Sequence, residues 1–384
     1  TYDDDYVYIT MPYYKNGSLN QMLDYKNLTV REIIKYSLDF LSAIYYMHDN
    51  NIIHCDIKPN NILLSNEGSA ILTDFGSALY LNNLGNARLK NVYYKHIAPE
   101  QCTNSTINKK IDIYQIGTTL YRLCNGNEEY NKQARRYKDL NSLKIACAKG
   151  KFPIRKKYLP HIPKEMINII EKCINVNTYD RYDNVLQIMN DISSINTHLD
   201  WYYNKENEEK FTWTLNTNDN YINIMLLKVG TMWEIIDDYR ESLYVETKAK
   251  GYRAIRDIIK KYEKIAFDIK EDILSEKYKP NEQLPFEKEL CEKYNVSKMT
   301  VKKALDLLVN DGLIIKRRGS GTFVKDITEK EIQRIIEKKQ FSGLTTTSIG
   351  HKVTSKVLEF KIINATKEIA DILKIEEDEF IYFV

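Results

Sequence analysis

Two short stretches hold the residues best suited to catalysis. His54-Cys55-Asp56-Ile57-Lys58-Pro59-Asn60-Asn61 sets an acid, a lysine and an amide at i, i+2 and i+5, ahead of the apolar run Ile62-Leu63-Leu64. Pro59 stops a helix, so these side chains are expected on a loop. Thr73-Asp74-Phe75-Gly76 adds a second carboxylate beside a glycine. Two carboxylates, an amide and a lysine converging from two loops suit a divalent cation and a polyphosphate. A third stretch suits a different partner. Ser297 to Lys303 and Lys316-Arg317-Arg318-Gly319 place basic side chains on a short helix and a tight turn, the charge needed against a phosphate backbone.

A chain of 384 residues predicts two or three domains, and 28% charged residues beside 43% hydrophobic ones exclude general disorder. No apolar run approaches the roughly 18–20 residues of a membrane span, and no signal segment opens the chain, so a cytoplasmic protein with no membrane partner is expected. Six cysteines (55, 102, 124, 147, 173, 291) without a C-x-x-C pair read as reduced thiols. Thr1 falls in mid-pattern, so a fragment is expected.

The first two hundred residues supply elements to carry the catalytic pair. Tyr6 to Met11 reads as a buried strand ended by Pro12. Gly17-Ser18-Leu19 leads into a short helix. Thr29 and Glu32 form a capping box before Ile33, Ile34, Leu38, Leu41, Ile44 and Met47 at helical spacing, and that helix delivers the chain to His54.

The order strand, hinge, two helices and polar loop resembles protein kinases from the last strand of the small lobe onward, with His54 to Asn61 as catalytic loop and Thr73 to Gly76 as metal-binding loop. Ala98-Pro99-Glu100 resembles the A-P-E that closes the activation segment. Asp112-Ile113-Tyr114-Gln115-Ile116-Gly117 is similar to D-x-W-x-x-G, and Arg181 matches the arginine that pairs with the A-P-E glutamate. The resemblance implies that Asp56 accepts the substrate hydroxyl proton, Lys58 neutralises the transferring phosphate, and Asn61 and Asp74 hold Mg2+. It implies ATP as the phosphate donor, with Met11 and Tyr13 on the hinge contacting it. His54 is read as a packed residue and not as an acid–base group.

Three departures from the kinase pattern qualify this. Cys55 replaces the arginine before the catalytic aspartate, which predicts activity independent of loop phosphorylation; its thiol is read as a small neutral filler. Tyr93 stands where Ser/Thr kinases carry a threonine, although Asp56-Ile57-Lys58 still favours Ser/Thr targets. Neither a glycine-rich loop nor the ATP-gripping lysine of the small lobe precedes Tyr6, so this stretch alone is expected to be inactive.

Residues 201–250 hold all three tryptophans. Phe211 to Leu215, Tyr221 to Val229 and Met232 to Ile236 read as strands, with turns at Asn216 to Asn220 and Lys228 to Thr231. An exposed aromatic sheet would suit nucleic acid, but the nearby acids favour a connecting sheet with an aromatic core. From about Tyr262 the pattern turns helical through Ile265, Ile269, Ile273 and Leu274. After a short helix, Ser297 is a natural N-cap for a helix with the apolar stripe Val301, Ala304, Leu305 and Leu308, which leaves Lys298, Thr300, Lys302 and Lys303 outside. Asp311-Gly312 ends it, and Leu313 to Val324 reads as a hairpin. Residues 251–326 hold 17 Lys/Arg against 13 Asp/Glu, and the excess falls within 288–318.

Leu284-Pro285-Phe286-Glu287-Lys288-Glu289-Leu290, Val296-Ser297-Lys298-Met299-Thr300-Val301-Lys302 and the stretch from Gly312 to Val324 resemble the winged helix–turn–helix of GntR-family bacterial transcription regulators. That resemblance implies a double-stranded DNA operator, a homodimer, and contacts from Lys288, Ser297, Lys298, Thr300, Lys302, Arg317, Arg318 and Gly319. Phe286 stands for a serine, and Lys298 and Lys302 stand for arginines, which alters sequence preference. Residues 341–384 alternate strand, helix (Lys367 to Leu373) and strand (Phe380 to Val384), and resemble the start of the small-molecule effector domain of HutC-type members.

The expected fold is multidomain α+β. Its parts are a kinase-like hinge and large lobe (1–198), a β-rich connector (199–255), a winged helix (256–328) and a truncated effector-binding domain (329–384). The expected function is a GntR-type regulator carrying a Ser/Thr kinase-like domain. Two further readings fit the same residues: a kinase that its winged helix places on DNA, and a kinase remnant accidentally fused to a DNA-binding module.

Overall fold

The computed structural model describes residues 2–3, 6–7, 12–88, 96–102, 106–198, 200–216, 221–237, 242–317, 320–326, 361–364, 366–367 and 380–383. They form a multidomain α+β protein. The chain divides into two units: Thr1–Lys26, Lys35–Pro153 and Cys173–Asp183, and then Asn27–Ile34, Ile154–Lys172 and Asn184–Val384. All six cysteines are free. Among the described residues no helix is long and apolar enough to cross a membrane.

In the first unit Tyr6–Val7 pairs with Tyr2–Asp3, and residues 8–11 of the expected strand lie outside the described residues. Helix α1 (Leu19–Tyr25) opens on a capping box. Ser18 Oγ accepts from the Gln21 amide, and the Gln21 side chain accepts from the Ser18 amide. Helix α2 (Val30–Asp49) belongs to this unit from Lys35 onward and opens, in residues of the second unit, on the expected one, with the Thr29 amide donating to Glu32 at 2.9 Å and the Glu32 amide to Thr29 Oγ1 at 3.2 Å. Its apolar stripe buries Leu41, Ile44 and Met47, and Leu38 is half-buried. Strands β1 (Ile62–Leu64) and β2 (Ala70–Leu72) form a hairpin in the register Ile62↔Leu72. Helix α3 (Lys110–Ala134) is buried along most of its length. Gly117 lets it approach the chain after residue 172, because a Cβ there would fall 2.5 Å from Cys173 Cβ. Helix α4 (Leu140–Ala148) completes the unit.

The second unit holds α5 (Lys164–Cys173, except its last residue), α6 (Val185–Ser193) and a five-stranded antiparallel meander. Its strands are β3 (Trp201–Lys205), β4 (Lys210–Asn216), β5 (Tyr221–Val229), β6 (Met232–Asp237) and β7 (Leu243–Val245). Alternation sorts its faces: Phe211, Trp213 and Leu215 on β4 and Ile222, Ile224 and Leu226 on β5 point into the core. The aromatic-core reading of this segment is therefore correct, and β3 and β7 are strands the sequence did not announce.

Helix α7 (Lys248–Leu274) corrects the expected boundary, because it begins 14 residues before Tyr262. Gly251 in its first turn reads as a helix breaker, yet it is there because a Cβ would fall 2.7 Å from Leu226 on the sheet. The first half of α7 covers the sheet with Ile255, Ile258, Ile259 and Tyr262. Its second half, through Ile265, Ala266, Ile269 and Ile273, joins another core with α8 (Glu287–Tyr294), α9 (Lys298–Asn310) and the hairpin β8 (Ile314–Arg317)–β9 (Gly321–Val324). Arg256 on α7 also donates to the Tyr158 and Leu159 carbonyls at 3.3 and 3.5 Å. The strands Lys361–Asn364 and Phe380–Phe383 pair antiparallel, and the expected helix between them lies outside the described residues beyond position 367.

Candidate functional site

The polar loop is held from one face of α3. Asp112 Oδ2 accepts from the His54 amide at 2.9 Å and from His48 Nε2 at 2.7 Å, and its Oδ1 accepts from the Cys55 amide at 2.9 Å. Burial is the strongest influence on this carboxyl and pushes its pKa up. The hydrogen bond and charge of His48, with the charge and amide of His54, outweigh it and hold the pKa below the usual carboxylate range. Gln115 takes the next turn, accepting from the Ile57 amide at 2.9 Å and donating to the Cys55 carbonyl at 2.8 Å. Thr119 donates to the Ile57 carbonyl at 3.3 Å. Positions 112, 115 and 119 share a helix face, so both peptide neighbours of Asp56 are fixed by one element.

Asp56 is the centre of this loop. Its Oδ2 accepts from Lys58 Nζ at 2.7 Å and Asn61 Nδ2 at 2.9 Å, while Oδ1 is buried without a hydrogen-bond partner. Thr73 donates from its amide and hydroxyl to the Asn61 carbonyl at 2.8 and 3.2 Å, so the β1–β2 register brings Asn61 and Asp74 to the same end of the hairpin. Asp74 is exposed, in the left-handed region at φ 63, with Oδ1 accepting from the Gly76 amide at 3.4 Å. The structure thus gathers Asp56, Lys58 and Asn61 by direct hydrogen bonds, with Asp74 exposed on the loop that follows Thr73. Tyr13 is 87% exposed, and Met11 and Tyr93 lie outside the described residues. His54 is packed as expected, its ring fully buried with Nε2 3.1 Å from the Thr73 carbonyl oxygen. Cys55 is buried, and desolvation, then the charges of Asp112 and Asp56, push its thiol pKa far up. A neutral filler is what this makes of it. Glu100 and Arg181 form the expected pair, two parallel hydrogen bonds of 2.7 and 2.8 Å with the Arg181 side chain fully buried.

The second candidate surface lies on α9. Ser297 caps it, its Oγ accepting from the Thr300 amide at 3.3 Å. Lys288, Lys298 and Lys302 are exposed, Lys298 lying 3.4 Å from Glu287. Arg317 on the wing is exposed, its guanidinium 4.5 Å from the Phe323 ring centroid, while Arg318 and Gly319 lie outside the described residues. Two expectations fail here. Thr300 and Lys303 do not point outward: they are 0% and 2% exposed. The helix buries a wider arc than its apolar stripe, because α7 and the end of β6 cover a second side. Thr300 lies against Ser297 (Oγ1 to Oγ 2.9 Å), and Lys303 pairs with Asp237.

A model of the protein kinase domain matches residues 1–192, half of the chain. The chain belongs to the protein kinase family. Serine/threonine-protein kinase PrkC of Bacillus subtilis is 30% identical over 215 residues, 55% of this chain and 31% of that protein. Serine/threonine-protein kinase shk2 of Schizosaccharomyces pombe is 27% identical over 177 residues, 46% of this chain and 29% of that protein. A model of the gntR family of bacterial regulatory proteins matches residues 261–324. HTH-type transcriptional regulator GmuR of Bacillus subtilis is 34% identical over 124 residues, 32% of this chain and 52% of that protein. The chain thus joins a protein kinase domain to a gntR-family domain, and it spans about a third of the kinases and about half of the regulator named here.

In the kinase domain, the sequence motif holds Asp112 and Gln115 without giving either a task, and Thr119 lies outside it. The signal was available: polar residues at i, i+3 and i+7 on an otherwise apolar helix need partners, and a polar loop is what supplies them. No such signal announced Asp237, which reads as one of a pair of surface acids beside a strand end.

Proposed function

We propose that this chain is a gntR-type, DNA-binding transcription regulator carrying a Ser/Thr kinase-like domain, which transfers the terminal phosphate of ATP to serine or threonine hydroxyls when a small lobe completes the nucleotide site. Its parts are the kinase large lobe (1–198), the sheet (199–255), the winged helix (256–328) and the start of an effector-binding domain (329–384). It acts in the cytoplasm as a homodimer on paired half-sites, with a small-molecule effector.

The observation that carries DNA binding is the capped helix α9, whose lysines Lys298 and Lys302 are exposed together with the wing residue Arg317, the wing's Lys316 reaching the Lys302 carbonyl at 3.5 Å. Lysine at these positions supplies a point charge where arginine would read guanine with two bonds. In the kinase domain, Asp56 Oδ1 is a buried acceptor without a partner, which suits a substrate hydroxyl. Lys58 lies against the same carboxylate and balances charge on the transferring phosphate. Asn61 commits its NH2 to Asp56, which leaves its side-chain oxygen for a ligand, and the oxygens of Asn61 and the exposed Asp74 are of the kind that suits Mg2+. When bound, that cation neutralises charge on the donor phosphates.

The test has two arms. Duplexes enriched by the purified protein from a random library, then titrated at fixed salt against a scrambled duplex, measure DNA reading; equal affinity for both sinks it. Transfer of labelled phosphate from ATP to a generic protein acceptor, with Asp56→Asn as control, measures catalysis. Label uptake that persists in Asp56→Asn, or none in the wild type with a kinase small lobe supplied ahead of Tyr6, removes the kinase half.

A further inference from the structure

The sheet of residues 201–245 has no task in the reading above, yet it reaches the DNA-reading helix through a buried ion pair. Asp237, at the end of β6, is 3% exposed and occupies an inward position in register with Ile235. Its Oδ1 accepts from Lys303 Nζ at 2.7 Å, both side chains being 2% exposed, and its Oδ2 accepts from the Tyr262 hydroxyl. Lys303 Nζ also lies 5.2 Å from the Tyr262 ring centroid. One carboxylate therefore joins three elements: β6 of the sheet, α7 and α9.

A buried lysine–aspartate pair is a poor source of stability, because desolvating both charges costs about as much as their attraction returns and an apolar pair often does better. What the pair adds is direction. A methylene contact tolerates rotation of a helix about its axis, whereas an ammonium held by a buried carboxylate does not. At about 100° per residue, Lys302 lies one step from Lys303 and Lys298 lies about 140° from it on the same side. Anchoring Lys303 inward thus turns Lys298 and Lys302 outward together, and both are exposed.

We propose that Asp237, Lys303 and Tyr262 are positioning residues for DNA reading, and that the sheet is part of the DNA-reading unit, setting the rotation of α9. This rests on the DNA-binding reading given above, and the two fail separately: a wild-type protein that enriches no duplex ends that reading, before any variant is measured.

The experiment uses the full chain and the duplex it enriches, with a scrambled duplex as reference. For Asp237→Asn, Lys303→Met and Tyr262→Phe, the selected-to-scrambled affinity ratio should fall about tenfold or more, the size of one lost base contact. Affinity for the scrambled duplex, and its salt dependence, should stay within about twofold because the phosphate-facing charges remain. The double variant Asp237→Leu with Lys303→Met removes both buried charges and guards against simple unfolding of the single ones. It should melt near the wild type and still show the low ratio. A wild-type ratio in the folded double variant or in all the single variants overturns the proposal, as does an equal loss of affinity for both duplexes.

Discussion

Replacing Asp112 by asparagine should loosen the catalytic loop while leaving its shape almost unchanged. The carboxylate serves three donors on two oxygens, with the amides of His54 and Cys55 on different ones. An asparagine offers one oxygen, so one of those amides must face an NH2 group and stay unsatisfied in a fully buried site. A buried donor left without a partner costs about 1–3 kcal/mol, and hydrogen bonds to a charged group are worth about 1.5–3 kcal/mol each. A loss of about 3 kcal/mol follows, which makes local opening on the order of 100 times more frequent. Hydrogen exchange read over residues 54–57 should accelerate by that factor. The pH dependence has a defined sign. The folded Asp112 carboxyl has a depressed pKa, so its contribution is present above the unfolded carboxylate value, near 3.8, and is lost as pH falls through the lower folded value. A folded Asp112→Asn protein whose exchange over 54–57 stays within threefold of the wild type would refute the idea that α3 holds the loop.

Gly117→Ala should destabilise the first unit by about 1–3 kcal/mol in thermal unfolding, since the new methyl meets Cys173 Cβ at 2.5 Å and backbone must shift. Lys298→Ala should weaken binding to the enriched duplex by about 1–3 kcal/mol if the lysine reads a base, whereas Thr300→Val should leave that affinity within twofold and lower stability by about 1 kcal/mol through its lost Ser297 bond. Iodoacetamide at pH 8 should spare Cys55 in the folded protein and modify it on unfolding, because burial and two carboxylates keep it a thiol; mass spectrometry of the alkylated peptides measures this.

The local signals were legible wherever a backbone rule acted alone. The Thr29–Glu32 box, the Ser297 cap and the hairpin around residue 319 each follow from neighbours in sequence, as does the phase of the Asp56–Asn61 loop. The pairing of Glu100 with Arg181 was legible through the kinase resemblance alone, since 81 residues separate them. What escaped was set by tertiary contact. The start of α7 escaped because its first half answers to the sheet, as Gly251 does to Leu226, and Lys303 looked like one more surface lysine because its partner Asp237 lies 66 residues away. Burial of a charged side chain depends on a partner that periodicity along one helix cannot show.

Helix α7 has a consequence for how such a chain can vary. It is 27 residues long, about 40 Å, and it supplies one core with its first half and another with its second. The two cores are therefore locked in phase. Inserting one residue between Tyr262 and Ile265 would turn the later stripe by about 100° and leave one core without its wall. Seven inserted residues would restore the phase to within about 20° but lengthen the helix by about 10 Å, out of reach of the Asp237–Lys303 bond. Length changes that surface loops absorb freely are thus closed to this helix, and its spacing is as much a part of the molecule as the residues proposed to face DNA.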